Sequence, residues 1–341
     1  MSLMSKLQKN SKSKFAERLD HSEFFKEKEV VPTDVPMINV ALSGTLDGGI
    51  TPGLTVLAGP SKHFKTSFAL KMAAAYLAAK PNAVMIFYDS EFGSPQEYFD
   101  TFGVDQTRVL HTPITNVEEL KFDLVSQLEN IETTDDVIIV IDSIGNLASK
   151  KELEDALDEK SVADMSRAKA LKGLFRMVTP YLSMKNIPLL AINHTYKEIG
   201  LFPKDVVGGG TGIYYSANNI WIIGRRQNKT GTEVTGYDFV IKVEKSRFVK
   251  EQSKIPISVS WEGGIEKYSG LLDVALAGGF VVKPSNGWYQ KADGDKKFRE
   301  KELGAEFWEE FLQNDDFREF VSKAYSMGSS IAEELNFEVE E

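Results

Sequence analysis

From Leu54 to about Val206, short continuous apolar runs alternate with amphipathic stretches. GLTVLAG (53–59), AVMIFYDS (83–90), RVLHTP (108–113), DVIIVIDS (136–143) and IPLLAINHT (187–195) read as strands. KTSFALKMAAAYLAAK (65–80), SPQEYFDTF (94–102), NVEELKFDLVSQLENI (116–131) and ADMSRAKALKGLFRMVTPYLSMK (163–185) read as helices. Phe68, Met72 and Tyr76 recur every four residues, as do Leu120, Leu124 and Leu128, so each set lines one helix face. Asn116 stands where an N-cap is needed. Strands that are apolar throughout are covered on both faces, and their alternation with helices predicts a parallel α/β sheet.

After Thr195 the pattern changes. GGGTGIYYSA (208–217) is glycine-rich, and NIWIIGRR, YDFVIKVEKS and IPISVSWEGG read as antiparallel strands joined by turns. Residues 269–327 predict a short helix, a Pro/Gly/Asn-rich turn and a helical segment rich in aromatic residues. At the other end, residues 1–30 read as a short amphipathic helical arm, with Leu7, Phe15, Leu19, Phe24 and Phe25 among charges. The expected organisation is an arm (1–30), a core (31–268), a small C-terminal region (269–328) and an acidic tail (329–341).

Composition narrows the chemistry. There is no cysteine, which excludes disulfides and thiolate metal sites, and four histidines leave little for a histidine metal site. No apolar run approaches the ~20 residues of a membrane span, and the start lacks a secretory apolar core. A soluble, cytoplasmic protein is expected, with no membrane partner. The net charge of −10 speaks against a polyanion partner until it is divided. Residues 301–341 hold 12 acids and three bases, a charge of −9, which leaves −1 for the first 300 residues. Within those, residues 217–254 carry eight bases against four acids. Such stripes can meet nucleic acid where the whole-chain charge conceals it.

GPSKHFKTS (59–67) follows the first strand and opens the first helix. It approaches the phosphate-binding pattern G-x-x-x-x-G-K-[ST], with Phe64 where the second glycine should stand. Gly59 and Pro60 make the turn, Lys65 is placed to reach the phosphates, and Thr66 offers a hydroxyl to Mg²⁺. A side chain at Phe64 fits if its φ is negative, as at a first helical position. Asp142 ends one strand and is suited to orient Mg²⁺, and Asp89 and Glu91 end another. Either of the latter pair is a candidate general base. Each acid alone also fits a helix cap or a solvated turn; convergence at strand ends favours a site.

Together GPSKHFKTS, FYDSEFG, VIIVIDSIGN, AINHTY, GGGTGIYYSA and VEKSR resemble the RecA-type recombinase family, most closely its T4-type bacteriophage branch. The resemblance runs over roughly residues 20–290. It implies a RecA-like P-loop ATPase core: a mostly parallel central sheet flanked by helices, with antiparallel strands added on the C-terminal side. It also implies ATP and Mg²⁺ as cofactors, filaments on single-stranded DNA, and strand exchange with double-stranded DNA. The loop residues Gly59, Pro60, Ser61, Lys62, His63, Phe64, Lys65, Thr66 and Ser67 would then hold nucleotide, with Thr66 and Asp142 on the metal and Glu91 as base. Tyr98 matches an adenine-stacking position, or else packs in the core. His194 matches the γ-phosphate sensor, where its charge would make function sensitive to pH. Lys245 and Arg247 match a pair inserted into the neighbouring subunit's site.

The resemblance also implies two DNA-binding loops, about residues 151–166 and 195–213. Neither is strongly basic, so Arg167, Lys169, Lys172 and Arg176 just outside, and backbone N–H groups at Gly208, Gly209 and Gly210, are the expected phosphate contacts. Phe202 either stacks on bases or anchors its loop. The acidic tail is expected to compete with duplex DNA for the basic stripe. A phage single-strand-binding protein and a loading mediator are the implied partners. A ring helicase of the same core and a nucleotide-regulated adaptor are the competing readings.

Overall fold

The computed structural model describes residues 2–13, 16–22, 28–158, 166–198, 204–230, 233–260 and 264–327. Phe15, Phe24, Phe25, Phe202 and the acidic tail lie outside these residues. The chain opens on α1 (Leu3–Asn10), capped by the Ser2 hydroxyl and with no buried residue. Of the arm expected over residues 1–30, the described residues form one short helix, then extended chain and a 3-10 turn at Leu19–His21. Two helical turns with nothing to pack against gain too little to propagate. α2 (Pro36–Ser43) begins with Pro, where no N–H is missed, and stops at Gly44, whose φ of 83° makes a left-handed cap.

The expected alternation follows as β1 (Gly53–Ala58), α3 (Lys65–Ala79), β2 (Val84–Asp89), α4 (Gln96–Thr101), β3 (Val109–Pro113), α5 (Val117–Asn130) and β4 (Val137–Asp142). α6 (Lys150–Leu157) then occupies the start of the stretch expected as a first DNA loop. Ser149 and Glu152 cap it reciprocally, which is enough to nucleate a helix in a run of charges. α7 (Ser166–Met184) and β5 (Pro188–Asn193) complete the parallel part. In the second expected loop, β6 (Thr195–Lys197) and β7 (Asp205–Val207) pair antiparallel, and α8 (Thr211–Ser216) follows. β8 (Ala217–Thr230) and β9 (Glu233–Ser246) form a long ribbon extended by β10 (Lys254–Ser260) and β11 (Gly264–Ile265).

All but β6 and β7 of these strands form one sheet, in the order β11-β10-β9-β8-β1-β5-β4-β2-β3. β8 to β3 run parallel, and β9 to β11 add antiparallel. Along β1, Leu54 and Val56 face the core beneath α5 and α7, while Leu57 faces the core beneath α3. This two-residue alternation between two apolar layers explains why the strands show no polar face. Strand ends are in register: Ala58 lies beside Asn193, and Asp89 beside Asp142. The loops leaving β1, β2, β4 and β5 therefore open at one edge.

The C-terminal residues add α9 (Leu271–Ala277), β12 (Val281–Ser285), β13 (Trp288–Lys291), β14 (Lys297–Phe298), α10 (Ala305–Gln313) and α11 (Asp315–Tyr325). The small sheet β12-β13-β14 was not expected; its signal is Asn286–Gly287 between two apolar runs, with Gly287 at φ 75°. Trp308, Phe311, Phe317 and Val321 bury into the same core as α2, α3 and β10. Phe317 meets Phe280 edge-on at 5.2 Å and Phe311 at 5.4 Å. Arg318 pairs with Asp47 at 2.5 Å, and the end of α11 is clasped by backbone bonds between Lys250 and Tyr325 (2.7 Å) and between Met327 and Phe248 (2.9 Å).

Because this core is shared, Phe317→Ala should lower the unfolding free energy by about 3–5 kcal/mol within a single transition in urea. An early, separate transition of the C-terminal residues alone would refute the shared packing.

Candidate functional site

The loop after β1 has two left-handed residues that are not glycine, Lys62 (φ 61°) and Phe64 (φ 55°). The negative φ expected for Phe64 is thus corrected: it is the N-cap of α3 in the left-handed region. Its half-buried ring packs on the core and tilts against Phe239 at 5.1 Å. Burial of an aromatic ring offsets backbone strain on the order of 1–3 kcal/mol. Alternating backbone hand turns successive N–H groups inward, and the N-terminus of α3 adds its dipole; both favour an anion. Lys65 is buried, and its Nζ donates to the Pro60 carbonyl at 2.8 Å. Burial pulls its pKa down, against the pull of Glu91 and Asp142. His63 Nδ1 donates to the Ser61 carbonyl at 2.8 Å.

Thr66 Oγ1 donates to Asp142 Oδ2 at 2.7 Å. The other oxygen, Oδ1, is buried with no hydrogen-bond partner among the described residues. Burial above all, then Glu91 and Asp89, pushes the Asp142 carboxyl up to about 6, although Thr66 and Lys65 oppose the shift. Glu91 Oε1 accepts from Ser143 Oγ at 2.7 Å and lies 3.1 Å from His194 Nε2. Asp89 accepts the Glu91 and Phe92 N–H groups at 3.1 and 2.8 Å and faces His111 at 3.2 Å. Of the two acids left open as base, Asp89 braces the loop and Glu91 faces the cleft.

That cleft, about 400 Å³, brings together Ser61 to Thr66, Glu91, Tyr98, Asp142 and His194. Gly59 and Pro60 lie behind it; Gly59 has no room for a Cβ, which would stand 2.9 Å from the Ile223 carbonyl. Ser67 is fully buried, and its hydroxyl bonds that of Tyr98, whose ring stands edge-on to Phe102 at 5.1 Å. Ser143, Arg225 and Tyr237 belong to the site and escaped the sequence reading. The polar residues ending NIWIIGRR are the available signal for Arg225.

Lys245 and Arg247 lie away from this cleft. Lys245 Nζ donates to the carbonyls of Tyr214 (2.5 Å) and Ala217 (2.9 Å), while Arg247 is exposed. His194 connects to the β6–β7 pair: its N–H bonds Asn193 Oδ1 (2.9 Å), Asn193 Nδ2 bonds the Gly208 carbonyl (2.7 Å), and Gly208 N–H returns to the His194 carbonyl (3.0 Å). Gly209 and Gly210 have φ of 92° and 76°. Gly212 presses on Lys172, so this glycine run lies against α7, where Lys169, Lys172 and Arg176 are exposed. Arg167 differs from its neighbours. Its guanidinium donates to the carbonyls of Leu147 (2.6 Å), Ile144 (2.8 Å) and Gly145 (3.0 Å), so it ties α7 to the loop after β4.

An inward-facing N–H loop, a buried lysine, a hydroxyl on a carboxylate and an orphaned buried oxygen fit a phosphate chain with a hard divalent cation. The orphan has a cost without ligand. The folded protein holds the Asp142 proton more tightly than the unfolded chain, so this group's stability contribution is complete below about pH 4 and lost as pH rises through about 6. Asp142→Asn should therefore stabilise the ligand-free protein at pH 7.5 by on the order of 1–3 kcal/mol, with no gain at pH 4. Equal melting temperatures for the two proteins at pH 7.5 would show that Asp142 ionises without penalty.

Comparison with known proteins identifies the family. The model of the RecA N-terminal domain matches residues 4–266. The model of the C-terminal domain of the bacteriophage T4 recombination and repair protein matches residues 268–321. The recombination and repair protein of Enterobacteria phage T4 is 51% identical over 98% of this chain and 88% of its own length. Protein RecA of Streptomyces rimosus is 28% identical over 82% of this chain and 72% of its own. RecA of Rhodococcus opacus is 27% identical over 86% and 81%. With relatives that span both the sheet and the C-terminal helices, this chain belongs to the RecA family of recombinases.

Proposed function

We propose that the chain is a DNA-dependent ATPase that polymerises on single-stranded DNA, pairs it with homologous duplex and exchanges strands, in phage recombination, repair and recombination-dependent replication. The observation that carries this reading is Glu91, held between Ser143 and His194 in the same cleft as Lys65, Thr66 and Asp142. Bound ATP with Mg²⁺ supplies a phosphoanhydride whose cleavage resets the filament. Lys65 and the loop N–H groups bind its phosphates, and Thr66 with the free oxygen of Asp142 holds the cation. Tyr98 offers its ring to the base. Glu91 Oε1 accepts a proton from water once His194 releases it. His194 and Glu91 thus restrain each other until an anion competes for the His194 ring N–H.

His194 also starts a path to DNA, through Asn193 to Gly208 and the β6–β7 pair. Lys169, Lys172, Arg176 and the amides near Gly208, Gly209 and Gly210 hold the backbone, while base pairing reads sequence. Phe202, which lies outside the described residues, remains a candidate for stacking. Arg247, and Lys245 once it leaves its two carbonyls, serve the next subunit's site, which ties hydrolysis to assembly. α1 docks on an adjacent subunit, an open head-to-tail contact. A phage single-strand-binding protein and a loading mediator in the host cytoplasm are the proposed partners. Among the described residues, no helix is long and apolar enough to cross a membrane.

Single-stranded DNA should stimulate ATP hydrolysis by the full chain. Lys65→Ala and Glu91→Gln should each lose about 10²–10⁴-fold of that rate, with Glu91→Gln still binding nucleotide. No stimulation in the unsubstituted protein would remove the recombinase reading. Deleting residues 1–30 should leave nucleotide binding intact and abolish filaments in electron micrographs; filaments of normal length would exclude the arm from assembly.

A further inference from the structure

The loop after β1 holds side chains at its two left-handed positions, Lys62 and Phe64. Glycine adopts this conformation freely, whereas a side chain keeps it only under outside restraint. β9 supplies one restraint for each. Tyr237 and Phe239 are two apart on that strand, on one face, with ring centres 6.1 Å apart. Phe239 holds Phe64 at 5.1 Å and meets Phe68 edge-on at 6.1 Å. Tyr237 carries the Arg225 guanidinium 4.6 Å above its ring, and Arg225 Nη1 donates to the Lys62 carbonyl at 2.9 Å.

We propose that Arg225, stacked on Tyr237, is a positioning residue for the nucleotide's phosphates: it pins the Lys62 carbonyl and so fixes the direction of the His63 N–H. The two groups belong to one trans peptide and point opposite ways, so holding one aims the other. Phe64 replaces the loop's usual freedom with a ring anchored in the core, and Arg225 completes that exchange at Lys62. Burial above all, then the charges of Arg225 and Lys65, holds His63 below its ordinary pKa, against the pull of its bond to the Ser61 carbonyl and of Asp205. Arg225 is exposed and lies on β8, outside the apolar core, so its removal leaves the packing intact. This inference rests on the reading of the cleft as an ATP site.

Binding of a fluorescent ATP analogue with Mg²⁺, without DNA, tests it on the full chain. Arg225→Met and Tyr237→Leu should each raise the dissociation constant about tenfold. The double variant should lose no more than either alone, because both break one clamp. Tyr237→Phe keeps the ring and should stay within about twofold of the unsubstituted protein. DNA-stimulated kcat at saturating ATP should change less than about threefold, since the loss falls on ground-state binding. Unchanged affinity in Arg225→Met, additive losses in the double variant, or a kcat that falls in step with affinity would each overturn the clamp. A lack of any nucleotide binding by the unsubstituted chain would overturn the reading of the cleft, and the clamp with it.

Discussion

Asp142 ends a strand that is buried on both faces, and one of its oxygens has no hydrogen-bond partner among the described residues. The sheet that buries this carboxylate also raises its pKa, so the fold holds its ionised form at a disadvantage. Nearby contacts keep that arrangement in place. Ser90 and Ser143 lock the ends of β2 and β4 together, with Ser90 Oγ donating to the Ser143 carbonyl at 2.7 Å and accepting the Ser143 N–H at 3.1 Å. Asp89 sits directly beside Asp142 in the register and keeps its own charge occupied with the backbone of Glu91 and Phe92. Three acids within one edge are tolerable because each has a different neighbourhood: one braced by N–H groups, one shared between Ser143 and His194, one buried and bonded by Thr66 through a single oxygen.

The same economy links the cleft to the β6–β7 pair. Asn193, buried at the end of β5, bonds forward to His194 and across to Gly208. The backbone of His194, whose ring faces Glu91, is thereby fastened to the base of the β6–β7 pair. Arg167 plays the corresponding part on the other side, by gripping three carbonyls of the loop that follows Asp142. Its charge serves geometry, whereas Lys169, Lys172 and Arg176 on the same helix are exposed.

Much of this was legible in sequence. The parallel strands were, because burial on both faces leaves continuous apolar runs, and the acids were, because they end those runs. Handedness at Phe64 was not: the sign of φ leaves no trace in residue type when a side chain replaces glycine, and only the core position of Phe239 explains it. Arg167 looked like a phosphate contact because its partners are carbonyls, which every residue has. Arg225 escaped since its partner, Lys62, lies 163 positions away. α6 was hidden within a charge-rich run whose capping box was the only announcement.

β9 has two allegiances along its length. Its middle, at Tyr237 and Phe239, steadies the loop of its own subunit, while its end presents Lys245 and leads to Arg247. Both contacts lie on the ribbon that β9 forms with β8, so one element holds the loop after β1 at one point and the carbonyls of Tyr214 and Ala217 at another.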